Sequence, residues 1–151
     1  MLKNIDPLLS PELLKVLREM GHGDEIVLAD ANFTAESLGR GKPVIRLPGV
    51  GMRAICTAVL SVLPLDAMVD RPIAFMQVGG SEAGYLSAVQ REVIGDLVQR
   101  GDATAEQCDP VERFAFYERV SRAYAIVQTG ELQPFANFLF KKGVIAEALR
   151  P

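Results

Sequence analysis

The single histidine of the chain, His22, stands between two glycines and just ahead of Asp24, Glu25 and Asp30 in the stretch EMGHGDEIVLADANF. An imidazole with a reference pKa of about 6.5 gives and takes protons near neutral pH. Metal binding asks for several His, Cys or carboxylate ligands, and His22 with Asp24 and Asp30 makes a thin set. Nucleophilic catalysis asks for a Ser or Cys partner, and no G-x-S-x-G elbow occurs. General acid–base catalysis needs only a correctly placed imidazole, with Asp24 or Asp30 to orient it or to hold a substrate. The alternative is a histidine that simply favours the negative end of a helix dipole.

Other groups could do chemistry elsewhere. Arg113 and Tyr117 are four residues apart, hence on one face of a helix. They could clamp vicinal hydroxyls or a carboxylate, although spacing alone fits a surface salt bridge at least as well. GVGMRA, Gly49 to Ala54, matches G-x-G-x-x-A, and Asp70 follows at about the distance of a ribose-binding acid. Pro48 interrupts the approach and the chain is small for a cofactor half plus a substrate half. An ordinary glycine turn feeding a helix is therefore expected there.

The elements that must position these residues follow from pattern. Ser10 can cap a first helix with Pro11 at its first position and Glu12 at its positive end. Leu13, Leu14, Leu17 and Met20 share a face, and Gly21 can stop the helix in the left-handed conformation. EIVLA (25–29), PVIRL (43–47), PIAFMQV (72–78) and YAIVQT (124–129) read as strands, and FANFLFKKGVI as the last one. Helices are expected over 52–63, over 86–100 with Val98 on the apolar face, and through VERFAFYERVSRA with Phe114 and Phe116 in the core. TAEQCDP reads as a loop. Strands alternating with helices predict an α/β layered domain with a largely parallel central sheet flanked by helices. Ligands on such sheets sit at the carboxyl ends of strands, here after Ala29, Leu47, Val78 and Thr129.

Bulk properties agree with a single domain over residues 1–151. The chain is 49% hydrophobic and 23% charged, enough for a packed core, and its net charge of −3 argues against nucleic acid as a partner. Lys141-Lys142 is expected as a solvated edge. Cys56 reads as a small core residue and Cys108 as part of a polar turn, with no disulfide framework. No membrane-length apolar run and no signal-peptide pattern appear, so a cytoplasmic setting is expected.

LLSPELLKVLREMGHGDEIVLADANF and RFAFYERVSRAYAIVQTGELQPFANFLFKKGV resemble the two ends of the bacterial mutarotase family that contains L-fucose mutarotase and D-ribose pyranase. Ribose pyranases typically carry histidine where this chain has Arg113 and lysine where it has Tyr117, so RFAFYER resembles the fucose type. The resemblance implies the family fold and a sugar mutarotase acting without cofactor or metal. His22 matches the proton donor, with Tyr117 as its partner group. Asp30, Arg113, Phe135, Ala136 and Asn137 match sugar-binding positions, and Asp24 is assigned an orienting role. Phe135 stands where family members usually have Tyr. The resemblance also implies a homo-oligomer, often a ring-shaped decamer, with sites near subunit contacts. Pyranose–furanose conversion, a non-catalytic sugar-binding module and a nucleotide-binding protein remain as alternatives.

Overall fold

The computed structural model describes residues 1–147. Helix α1 (Pro11–Glu19) begins as the sequence predicts, with Ser10 Oγ accepting the Leu13 N–H at 3.1 Å and Pro11 opening the helix. Its end differs: Met20 is the C-cap, and the left-handed residue is Gly23, with φ of +85°, not Gly21. The turn that carries His22 therefore bends after the histidine.

Strand β1 (Glu25–Ala29) is buried on both faces, as a central strand must be. A short helix, α2 (Ala35–Leu38), follows, then β2 (Val44–Leu47), α3 (Met52–Leu60), β3 (Ile73–Met76) and α4 (Ala88–Arg100). Helix α4 starts at a capping box between Ser87 and Gln90 and ends at Gly101 in the left-handed conformation. Val98, expected inward, is exposed. The stretch expected as a loop instead forms one 3₁₀ turn at 105–107 and strand β4 (Cys108–Val111). Pro110 can be accommodated there because β4 is an edge strand. Helix α5 (Arg113–Arg122), β5 (Ala125–Thr129) and β6 (Phe138–Lys141) complete the fold.

The sheet order is β2-β5-β1-β6-β3-β4. Strands β1 to β5 run in one direction, and β6 lies antiparallel between β1 and β3. Side chains alternate accordingly. Ile26, Leu28, Phe75, Phe138 and Phe140 pack with α1, α3 and α4 on one face, while Val27, Ala29, Met76 and Leu139 pack with α2 and α5 on the other.

Lys141 and Lys142 are not a solvated edge. Lys141 belongs to a central strand and pairs with Glu25 at 3.1 Å. Lys142 Nζ donates to the carbonyls of Leu17 at 2.7 Å and Met20 at 2.5 Å, capping α1. Both cysteines are free and buried, so Cys108 is not in a solvated turn. Burial pushes its thiol up to about 11.

Candidate active site

The carboxyl ends of the parallel strands carry most of the predicted residues. Asp30 follows β1 and is buried with Asn137, which precedes β6. The Asp30 backbone N–H donates to Asn137 Oδ1 at 2.8 Å, and Asn137 Nδ2 returns a bond to Asp30 Oδ2 at 2.9 Å. The Asn32 N–H donates to Asp30 Oδ1 at 3.0 Å. Burial raises the Asp30 carboxyl above its ordinary value of 3.8, against the pull of the hydrogen bonds from Asn137, Asn32 and Phe33. The loop after Asp30 is fixed by Gln128 Nε2, which donates to the carbonyls of Ala31 and Phe33.

Beside this pair lies a cleft of about 410 Å³. Its walls are Gln77 to Ser81 after β3, Glu112 to Phe114 at the start of α5, and Phe135. Glu112 caps α5 by accepting the N–H groups of Phe114 at 2.8 Å and Ala115 at 3.1 Å. Arg113 stands over the Phe114 ring at 4.5 Å. Phe116 is core as expected, but Phe114 is 64% exposed at the cleft rim. Tyr117 packs edge-on against Phe33 at 5.6 Å and Phe114 at 6.3 Å, which ties it to the loop after Asp30. Ala136 is fully buried. Thus Asp30, Arg113, Tyr117, Phe135, Ala136 and Asn137 share one end of the sheet.

His22 and Asp24 lie at the other end. Strand β1 and its flanks separate His22 from Asp30 by roughly 20 Å at about 3.3 Å per residue. The turn is pinned to the end of β6: Gly23 N–H donates to the Lys142 carbonyl and Lys142 N–H to the Asp24 carbonyl, each at 2.8 Å. Asp24 Oδ2 accepts the Gly21 N–H at 2.6 Å, so its carboxylate braces the turn. The imidazole's partner is Asp66, whose Oδ1 lies 3.1 Å from His22 Nε2. Asp66 is almost fully enclosed, while the His22 side chain is 41% exposed. The Met68 N–H, with His22, holds the Asp66 carboxyl below its ordinary value despite the opposing effect of burial. The tautomer that donates Nε2–H to that carboxylate leaves Nδ1 without a hydrogen.

Sequence reasoning did not find Asp66. It lies 44 residues from His22, in PLDAMVD, with no spacing rule to mark it. What brings it in is a close approach of backbones. Asp66 N–H donates to the Lys141 carbonyl at 3.0 Å and Gly143 N–H to the Pro64 carbonyl at 2.8 Å. A Cβ on Gly143 would fall 2.4 Å from the Leu65 carbonyl oxygen, so only glycine fits. Gln90 and Glu112 were also missed. GVGMRA does open a helix after a strand, but β2 is an edge strand rather than a central one. The first helical N–H of α3, on Met52, faces Glu131 Oε2 at 3.4 Å, so a carboxylate of the chain occupies the anion position.

A carboxyl-edge cleft beside a buried carboxylate–amide pair, with a carboxylate-paired histidine at the opposite end of the same sheet, marks an α/β protein of mixed six-stranded sheet. Residues 3–145 match the RbsD / FucU transport protein family, and the chain belongs to it. It is 45% identical over 144 residues to an L-fucose mutarotase of Glaesserella parasuis, covering 95% of this chain and 96% of that one. It is 45% identical over 148 residues to the fucose mutarotase of Homo sapiens, covering 96% and 95%. The fucose mutarotase of Streptococcus pneumoniae, solved in complex with L-fucose, superposes with a TM-score of 0.85 at 40% identity, covering 96% of this chain and 100% of that one. RbsD of Bacillus subtilis, at 20% identity and a TM-score of 0.69, shares the fold.

Proposed function

We propose that the protein is a sugar mutarotase, an isomerase that interconverts the α and β anomers of a reducing monosaccharide, L-fucose foremost. The observation that carries the chemistry is the His22–Asp66 pair, an exposed imidazole oriented by an enclosed, ionised carboxylate. The near full-length identity to relatives named L-fucose mutarotase supports the substrate.

In this scheme one group takes the proton of the anomeric hydroxyl while another protonates the ring oxygen. The C1–O5 bond breaks and C1 becomes an aldehyde. Rotation about C1–C2 and reversal of both transfers close the ring on the other face. His22 serves as the acid–base group and Tyr117 as its partner, each proton-transfer aid contributing about 10²–10⁴-fold. Asp30, Arg113 and Asn137 hold hydroxyls, and Phe135 and Ala136 line the sugar. Phe135 brings no hydroxyl of its own, so any bond from that position comes from the backbone.

A sugar ring is far shorter than the separation of His22 from Asp30. The proposal therefore includes a homo-oligomer, in the extreme a decameric ring, in which His22 and Asp66 of one copy face the cleft of the next. Exposed apolar residues support a contact at both ends: Met68, Val69, Val144 and Ile145 near Asp66, and Phe114 at the cleft. Among the described residues no helix is long and apolar enough to cross a membrane. The two buried free thiols support a reducing, cytoplasmic setting.

Exchange NMR on α and β L-fucose, with D-ribose and D-galactose in parallel, tests the function. Wild type should accelerate anomer exchange of L-fucose most, and His22→Ala should return it to the spontaneous rate. Wild-type exchange in His22→Ala would overturn the acid–base assignment. Sugar binding without acceleration would leave only a binding module.

A further inference from the structure

We propose that Gln90 is a positioning residue for the sugar, acting by fixing the backbone of Phe135; this rests on the function proposed above. Gln90 is fully buried in the first turn of α4. Its Oε1 accepts the Ser87 N–H at 3.0 Å, which is all that capping the helix requires. Its Nε2 does something further. It donates to the Met76 carbonyl at 2.8 Å and to the Phe135 carbonyl at 3.0 Å. The Ser87 N–H can face only an oxygen, so the amide has a single orientation and both its hydrogens point at those carbonyls.

The two carbonyls belong to neighbouring segments that both lead into the cleft, held together by the Met76 N–H, which donates to the Asn137 carbonyl at 3.0 Å. Met76 ends β3 and leads into Gln77 to Ser81, and Phe135 begins the 135–137 segment. Phe135 has a φ of +63°, in the left-handed region that a bulky side chain rarely occupies. Such a residue holds its conformation only when its surroundings over-determine it. A second bond from the same helix turn, Val89 N–H to Gln133 Oε1 at 2.9 Å, suspends the segment from α4 two residues earlier. Phe135 lines the cleft, and two residues on Asn137 clamps Asp30, so a shift of Phe135 moves both the cleft wall and the hydroxyl-binding pair.

Gln90→Met keeps the volume and removes both donors. Gln90→Glu, neutral when buried, keeps an acceptor for Ser87 and one donor; once ionised it has none and repels both carbonyls. KM and kcat for L-fucose should be measured by exchange NMR from pH 5 to 8, with folding checked by circular dichroism. Gln90→Met is expected to raise KM about tenfold at every pH while kcat stays within about threefold. Gln90→Glu should show a near-wild-type KM at the acid end that rises with pH toward that of Gln90→Met. That pH-dependent KM is a signature a merely structural role would not give, and Gln90→Glu alone decides the matter if Gln90→Met does not fold. An active wild type with an unchanged KM in Gln90→Met, or a pH-independent KM in Gln90→Glu, overturns the positioning role alone. A wild type that leaves anomers at their spontaneous rate overturns the mutarotase function and this role with it.

Discussion

Two carboxylates at opposite ends of one sheet are tuned in opposite directions. Burial raises Asp30, so its contribution to stability is fully present below its unfolded value and is lost as pH rises through its folded one. Asp66 is lowered by the Met68 N–H and by His22, so its contribution is present above its unfolded value and is lost as pH falls through its folded one. Melting curves from pH 3 to 7 should therefore show opposite trends. The Tm deficit of Asp30→Asn narrows with rising pH, whereas that of Asp66→Asn widens; parallel curves would contradict the assignment. The glycine turn and neighbouring acids of His22 suggest acid–base chemistry as one reading beside a plain helix-end histidine, with Asp24 or Asp30 as the orienting group, but the carboxylate that the imidazole meets is Asp66. That partner was not legible, because Asp66 arrives through a β-bridge between Leu65 and Lys142 that no local pattern encodes.

Among the elements, strong local signals were the readable ones. Ser10-Pro11-Glu12 and the buried run EIVLA each reproduce an observed boundary, because capping and burial are local decisions. Strand β4 was missed because its four residues include a proline, which only an edge position tolerates. Phe114 was misassigned because an aromatic at a cleft rim has the composition of a core residue and none of its burial. Lys142 shows the same limit: its doublet resembles solvated charge, but its ammonium closes α1 and its backbone clamps the histidine turn. Lys142→Met should cost about 1–2 kcal/mol, since it removes charged hydrogen bonds at a helix C-terminus. Urea unfolding checks that loss. Anomer exchange should change little, because the backbone bonds that hold the His22 turn remain in this variant.

For the whole molecule, the distance between the two groups of predicted residues argues for a site completed between copies. Complementation tests this directly. Chains carrying His22→Ala and chains carrying Arg113→Ala should each be inactive as pure assemblies. Co-assembled in equal amounts, they should regain about a quarter of wild-type exchange, because one contact in four then pairs an intact His22 with an intact Arg113. No recovery in mixed oligomers confirmed by native mass spectrometry would refute a shared site.

Strand β6 touches both halves of the proposed chemistry, with Asn137 at its start and Lys142 at its end. Its pairing with β1 keeps those halves a fixed number of residues apart. Lengthening both strands by two residues would preserve every inward-facing side chain and still shift one half by about 7 Å against the other. Descendants of this gene can therefore lengthen loops remote from the cleft and the histidine turn, while β1 and β6 behave as a ruler that tolerates substitution but not insertion.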